Sequence, residues 1–263
     1  MPLPEPNSAA LLEVRGLSKY FGGVHALEGV SCRVEEGRIF AVIGPNGAGK
    51  TTFFNCLTAV ERPTAGSIVF ECAEIAGLSS HRIAAAGIAR TWQTIRLFEH
   101  MSVLENVLVG CHCRGRCEIV SSVLRLPSQG REERQLRERA LHCLGMMGIA
   151  DLANQSVGRM PFLKQRRVEL ARALAAGPRL LLLDEPAAGL NTRETVELGD
   201  LIQAIRAGGV TIILVEHDMS LVMEHSDRVL VLDHGVPIAE GPPREIQENE
   251  TVIAVYLGTG EDS

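Results

Sequence analysis

Gly44-Pro45-Asn46-Gly47-Ala48-Gly49-Lys50-Thr51 is the stretch whose reading decides the fold. Arg38-Ile39-Phe40-Ala41-Val42-Ile43 precedes it, a short apolar run with β-branched residues that reads as a strand. Residues 51–58 follow it and are compatible with a helix. Strand, glycine-rich loop and helix are the context in which G-x-x-x-x-G-K-[ST] reads as a phosphate-binding loop. Glycines let the backbone wrap an anion so that successive N–H groups point inward. The helix that follows turns its positive end toward the same anion. In such a loop Lys50 sets a point charge against the β and γ phosphates, and the Thr51 hydroxyl is placed to ligate Mg²⁺. The bland alternative, a glycine-rich turn with a chance lysine, needs both flanks to match by accident.

Working outward, the chain has 263 residues, 46% of them hydrophobic and 22% charged, which is enough for one compact domain with a substantial core. Its net charge of −6 and the lack of a long basic run argue against nucleic acid as a partner. Seven cysteines are scattered without a framework, as in a reducing compartment. No apolar run approaches the length of a membrane span. Residues 1–10, with three prolines and no basic start, read as a disordered lead rather than a signal peptide.

Residues 11–14 read as a first strand, residues 19–23 as a turn carrying two aromatics, and residues 26–34 as a half-exposed strand. Residues 63–66 form another turn before a strand at 67–70. From 81 to 177 few strands are visible, and residues 131–145 have the composition of a helix with a solvated face. A helical insert is expected over 91–165. The α/β texture returns with Leu180-Leu181-Leu182-Leu183, which ends in Asp184-Glu185-Pro186. Asn191 is placed to cap a helix, with Glu194 as its capping-box partner. Leu198, Leu201, Ile202 and Ile205 then mark that helix's buried face. Residues 210–215 form a buried strand ending at Glu216-His217-Asp218. Residues 229–232 and 236–239 form a hairpin about His234-Gly235. The fold class is α/β: a P-loop core with a mainly parallel sheet, an antiparallel β subdomain and a helical subdomain insert, with ligand at the strands' carboxyl ends.

Asp184 and Glu185 supply the second half of a phosphoryl-transfer site. An aspartate at a strand's carboxyl end holds Mg²⁺, directly or through water, and the adjacent glutamate orients an attacking water. Gln93, where the insert begins, is a candidate contact for metal or water, although a lone polar loop residue is the commoner case. His217 closes another strand, and a lone histidine is as often structural as functional. Cys111-His112-Cys113 and Cys117 are spaced too tightly for a common zinc site. Met146-Met147 reads as core filler.

In these motifs the chain resembles the ATPase subunits of ABC transporters, from about residue 11 to 258. Gly44, Pro45, Asn46, Gly47, Ala48, Gly49, Lys50, Thr51 and Thr52 match the Walker A region. Residues 180–185 match Walker B with its catalytic glutamate, Glu185. Gln93 falls at the Q-loop glutamine, His217 at the switch histidine, Asn191 at the end of the D-loop, and Phe21 at the aromatic that stacks on adenine. Gly87-Ile88-Ala89-Arg90-Thr91-Trp92-Gln93 and Val215-Glu216-His217-Asp218-Met219 resemble the branched-chain amino-acid importer branch, where Trp92 replaces the usual Phe.

The resemblance implies ATP and Mg²⁺ as cofactors, with Thr51, Gln93 and Asp184 around the metal and Glu185, His217 and Gln93 in catalysis. It also implies a peripheral subunit on the cytoplasmic face of the inner membrane. The partners would be a second ATPase subunit, in a homo- or heterodimer, membrane permeases and, indirectly, a periplasmic or extracellular solute-binding protein. Its domain plan is a core over 11–90 and 166–243, a helical subdomain over 91–165, a C-terminal helix over 244–258 and a tail over 259–263.

One departure stands out. The signature loop falls on Met160-Pro161-Phe162-Leu163-Lys164, with Leu163 where glycine is expected. A leucine there is expected to crowd the partner site's γ-phosphate or strain the turn. A regulatory nucleotide-binding subunit with little hydrolysis of its own is the alternative reading.

Overall fold

The structure is a computed structural model that describes residues 10–111 and 127–258. The readings on residues 1–9, on the Cys/His run beyond Cys111 and on the tail lie outside the described residues. β1 (Ala10–Phe21) and β2 (Val24–Glu35) form an antiparallel hairpin about Gly22-Gly23. β3 (Ile39–Ile43) feeds the phosphate loop, and α1 (Lys50–Leu57) leaves it. β4 (Ala65–Phe70), β5 (Ala73–Glu74), α2 (Ser80–Ala86) and β6 (Ile88–Arg90) follow. A helical layer comes next: α3 (Val103–Cys111), α4 (Pro127–Met146) and α5 (Phe162–Ala175). The chain then alternates through β7 (Leu180–Asp184), α6 (Thr192–Ala207), β8 (Thr211–Val215) and α7 (Met219–His225). The hairpin β9 (Arg228–Asp233) and β10 (Val236–Gly241) precedes α8 (Pro243–Gln247) and α9 (Glu250–Gly258).

Two sheets result. One is antiparallel, in the order β2-β1-β4-β5; the other runs β10-β9-β3-β8-β7-β6 and is parallel from β9 to β6. This is the α/β class expected, with a mainly parallel sheet, an antiparallel sheet and a helical layer. The unbroken leucine run of β7 follows from its position between two layers. Leu180 and Leu182 face the core shared with Phe40, Phe53 and Phe54, while Leu181 and Leu183 face the helical layer with Val107, Leu144 and Val168. Both faces are covered, so no polar residue is needed in alternation. Each such leucine contributes about 2 kcal/mol of apolar burial.

α3, α4 and α5 pack on one another through Val103, Val107, Leu144, Val168 and Ala171, and Met147 fills the same core. Asn191 caps α6 with the reciprocal Glu194 bonds expected, and Leu198, Ile202 and Ile205 are buried. Three local expectations are corrected. Lys19, Tyr20 and Phe21 are strand rather than turn, because a two-residue Gly-Gly turn lets β1 pair with β2 as far as Phe21 opposite Val24. β6 has no counterpart in the sequence reading: three residues carry no readable period, and parallel pairing with β7 makes them a strand. A helix from Gln165 to Ala176 behind the signature loop is what the sequence suggests, but α5 starts at Phe162, because Pro161 sits at its cap and residues 162–164 form its first turn. Among the described residues no helix is long and apolar enough to cross a membrane.

Candidate functional site

The phosphate loop is shaped by backbone that only glycine adopts cheaply. Gly47 and Gly49 have φ of 82° and 98°. A Cβ on Gly49 would stand 2.5 Å from the Ala26 carbonyl oxygen, so that position is closed sterically as well as conformationally. Gly49 caps α1 without a side chain, leaving the helix's first N–H groups for a ligand. Lys50 is buried, and its Nζ donates to the carbonyls of Gly44 at 2.6 Å and Pro45 at 2.9 Å. Burial pulls its pKa down, while Glu185 and Asp184 act to hold it up. A cavity of about 350 Å³ opens over the loop, lined by Asn46 to Thr52 and by Glu185 and His217. Val24, His25, Ala26 and His234 complete the lining.

Asp184 ends β7, and Glu185 follows with φ of 44°, a left-handed backbone that costs a non-glycine residue about 1 kcal/mol or more. Its N–H donates to the Val215 carbonyl at 2.8 Å, which keeps the turn against the end of β8. The Glu185 carboxylate is held from two sides. Gln93 Nε2 donates to one oxygen at 2.6 Å, and His217 Nε2 lies 3.0 Å from the other. Gln93, Glu185 and His217 come from three separate segments and converge at the loop cavity. Thr51 is exposed beside Lys50, and Asp184 is buried with Oδ2 accepting from Arg90 at 2.7 Å. Among the described residues its second oxygen accepts no hydrogen bond. One free hydroxyl and one free carboxylate oxygen suit Mg²⁺, which prefers few protein ligands and completes its shell with water and phosphate oxygens.

Sequence reasoning missed the groups that hold this array. Glu216 is buried; its Oε1 accepts from the Ala187 N–H at 2.6 Å and its Oε2 from the His217 N–H at 2.9 Å. It thus ties the loop after Glu185 to the loop that carries His217. Burial pushes its carboxyl up, against those backbone donors. Arg166 of α5 is fully buried, ion-paired to Glu169 at 2.6 Å, and donates to the carbonyls of Trp92 at 3.0 Å and Gln93 at 3.1 Å. A basic residue on an otherwise buried helix face was the only available signal.

Phe21 stands exposed at the tip of the β1–β2 hairpin and does not line the cavity, though its partner Val24 does. Lys19 Nζ lies 4.5 Å from the centre of its ring. Met160, Pro161, Phe162, Leu163 and Lys164 are likewise absent from the cavity wall. Within this group Phe162 and Lys164 are exposed and Leu163 is buried. Leu163 lies in the first turn of α5, outside the left-handed region, with its side chain turned into its own chain. Neither the strained turn nor the outward-facing leucine expected from the sequence is present, because helix geometry at 162–164 rotates that side chain inward.

These features, a glycine-rich loop on a strand-to-helix turn, an acidic pair two strands over and a glutamine and histidine on the second carboxylate, define a nucleotide-dependent ATPase of the P-loop class. The ABC transporter family matches residues 27–188, and a branched-chain amino acid ATP-binding cassette transporter C-terminal family matches residues 236–262. The chain is 46% identical over 252 residues to the high-affinity branched-chain amino acid transport ATP-binding protein BraF of Pseudomonas aeruginosa, covering 95% of this chain and 99% of that one. It is 44% identical to LivG of Salmonella typhimurium, which carries the same description, with the same coverage. A crystal structure of an ABC-transporter ATP-binding cassette in its ADP conformation superposes with a TM-score of 0.84 at 30% identity, over 95% of this chain and 100% of that one. The chain belongs to the ABC transporter family, as its ATPase cassette.

Proposed function

We propose that this chain hydrolyses ATP to drive an importer for branched-chain amino acids or related solutes, attached to the cytoplasmic face of the membrane through permease subunits. The observation that carries the catalytic part is the Glu185 carboxylate fixed between Gln93 and His217 at the rim of the phosphate-loop cavity. The loop N–H groups and Lys50 bind the β and γ phosphates. Glu185, oriented on both oxygens, positions the attacking water and accepts its proton. His217 steadies charge that develops at the γ-phosphate. Thr51 and Asp184, with Gln93 nearby, would hold Mg²⁺, which would supply charge neutralisation at the phosphate oxygens. The solute assignment rests on the likeness to BraF and LivG. Phe21 supplies a ring for adenine at the hairpin tip.

The cavity is open and carries no signature residue of this chain. A second ATPase subunit therefore completes it, and residues 160–164 complete the partner's site in return. Pro161 brings neither a hydroxyl nor an N–H to that site, and the start of α5 is left as its main anion-facing feature. We read this as the weaker of the two composite sites. The deciding experiment is steady-state ATPase of the purified chain, alone and with its permeases, beside Glu185→Gln. Activity should fall about 10²-fold or more with nucleotide binding retained. Hydrolysis that survives the substitution removes Glu185 from the role of positioning the water.

A further inference from the structure

We propose that Arg90 is a positioning residue for the metal-binding carboxylate Asp184, and that through it Mg²⁺ affinity is tied to the segment carrying Gln93. The proposal rests on the magnesium-nucleotide reading above. Arg90 is the last residue of β6 and Asp184 the last of β7, and these strands are parallel neighbours with Arg90 opposite Leu182. Arg90 Nη2 donates to Asp184 Oδ2 at 2.7 Å, with the two side chains only 5% and 7% exposed. Its Nη1 donates to Asn55 Oδ1 at 2.8 Å and to Thr58 Oγ1 at 3.2 Å, at the far end of the helix that begins with Lys50 and Thr51. The guanidinium carbon lies 4.3 Å from the centre of the Trp92 ring and 5.5 Å from that of Phe54. One planar group therefore joins the phosphate-loop helix, the acidic strand and the strand leading to Gln93 three residues on.

A carboxylate that serves a hydrated cation must present one oxygen at a fixed place. Arg90 takes Oδ2 and leaves the other oxygen, and its fork is itself fixed by Asn55 and by stacking. Lysine, a point charge on a flexible stem, cannot hold Asp184 and Asn55 together. The charge of Arg90 taken alone opposes a nearby cation, so the two effects have opposite signs. If positioning dominates, removing Arg90 weakens Mg²⁺ binding; if repulsion dominates, it strengthens it.

The test uses the full chain and a fluorescent ATP analogue, titrated in saturating Mg²⁺ and in EDTA. The ratio of the two affinities is the Mg²⁺ gain. In Arg90→Met the gain should shrink about tenfold, as for other groups that orient a metal ligand, with the EDTA affinity unchanged. Arg90→Lys should recover only part of it. Asn55→Leu loosens Arg90 without touching Asp184 and should give a smaller loss of the same kind, so the proposal stays testable if Arg90→Met fails to fold. Trp92 is the chain's one tryptophan and stacks on Arg90, so its emission should respond to Mg²⁺ in the wild type and not in Arg90→Met. An unchanged or enlarged Mg²⁺ gain overturns the proposal. So do affinities that fall together with and without Mg²⁺, which would show a structural prop only. A wild-type chain that binds the analogue but shows no Mg²⁺ gain fails the magnesium part of that reading, and the proposal falls with it.

Discussion

Replacing Arg166 by methionine tests whether the buried Arg166–Glu169 pair of α5 is a working connection to the Gln93 segment. Arg166 and Glu169 are 0% and 1% exposed, so the substitution leaves a carboxylate inside the protein without its direct partner. Breaking a buried pair costs about 3–5 kcal/mol. The carbonyls of Trp92 and Gln93 also lose their donor, for about 1 kcal/mol each. Two features pull the other way. Glu169 still feels Arg172 and a Trp92 backbone donor, and burial already pushes its carboxyl up, so it relieves itself by taking a proton. The expectation is a loss of about 3 kcal/mol for Arg166→Met and about 2 kcal/mol for Glu169→Leu. The double variant carries no buried charge and should lose about 3 kcal/mol, not the additive 5, which is a coupling of about 2 kcal/mol. Urea unfolding followed by far-ultraviolet circular dichroism measures all three. Additive losses, or a single-variant loss below about 1 kcal/mol, would refute the reasoning.

Two further outcomes follow from the geometry. Asp218 caps α7 by accepting from the N–H groups of Ser220 and Leu221, and its bond from the Ser220 hydroxyl is the largest of the effects that hold its carboxyl below its ordinary value of 3.8. A depressed folded-state pKa contributes stability that is complete above the unfolded value and lost as pH falls through the folded one. Asp218→Ala should therefore cost about 1 kcal/mol at pH 7, as a lost cap does, and progressively less below pH 3.8. A cost that does not change with pH in acid unfolding series would contradict the assignment. Leu163→Gly should lower stability by about 2–4 kcal/mol, through lost burial and a glycine in a helix, and should not raise ATPase turnover of the assembled transporter, because the leucine side chain is turned into its own chain. Turnover that rises would show that Leu163 does obstruct the partner's site.

How much of this could be read before the structure depended on distance along the chain. The phosphate loop, the leucine strand ending in Asp184-Glu185 and the Asn191 capping box are all written in residues within ten positions of one another. Their signals are local backbone chemistry and an unbroken apolar run, so the sequence by itself determined them. The helical layer was legible in part, through the helical composition of residues 131–145, and the buried face of α6 through its period. Fold class and the core of the site followed from these.

What only the tertiary structure decided is the set of contacts between segments far apart. β6 exists because β7 pairs with it, not because Ile88-Ala89-Arg90 prefers to be a strand. Leu163 looks like an obstacle in a loop and is a buried residue in a helix, since the start of α5 sets which way it points. Arg90 and Glu216 carry no local pattern, and Arg166 only that of a basic residue on an otherwise buried helix face. Their partners lie 94, 74 and 29 residues away, at Asp184, Trp92 and Ala187. A charged side chain is exposed by default because desolvation is costly, and only a folded chain can bring the hydrogen bonds that make its burial tolerable. Sequence can therefore name the groups that would meet the nucleotide, while the groups that hold them in place become visible only once the chain has closed on itself.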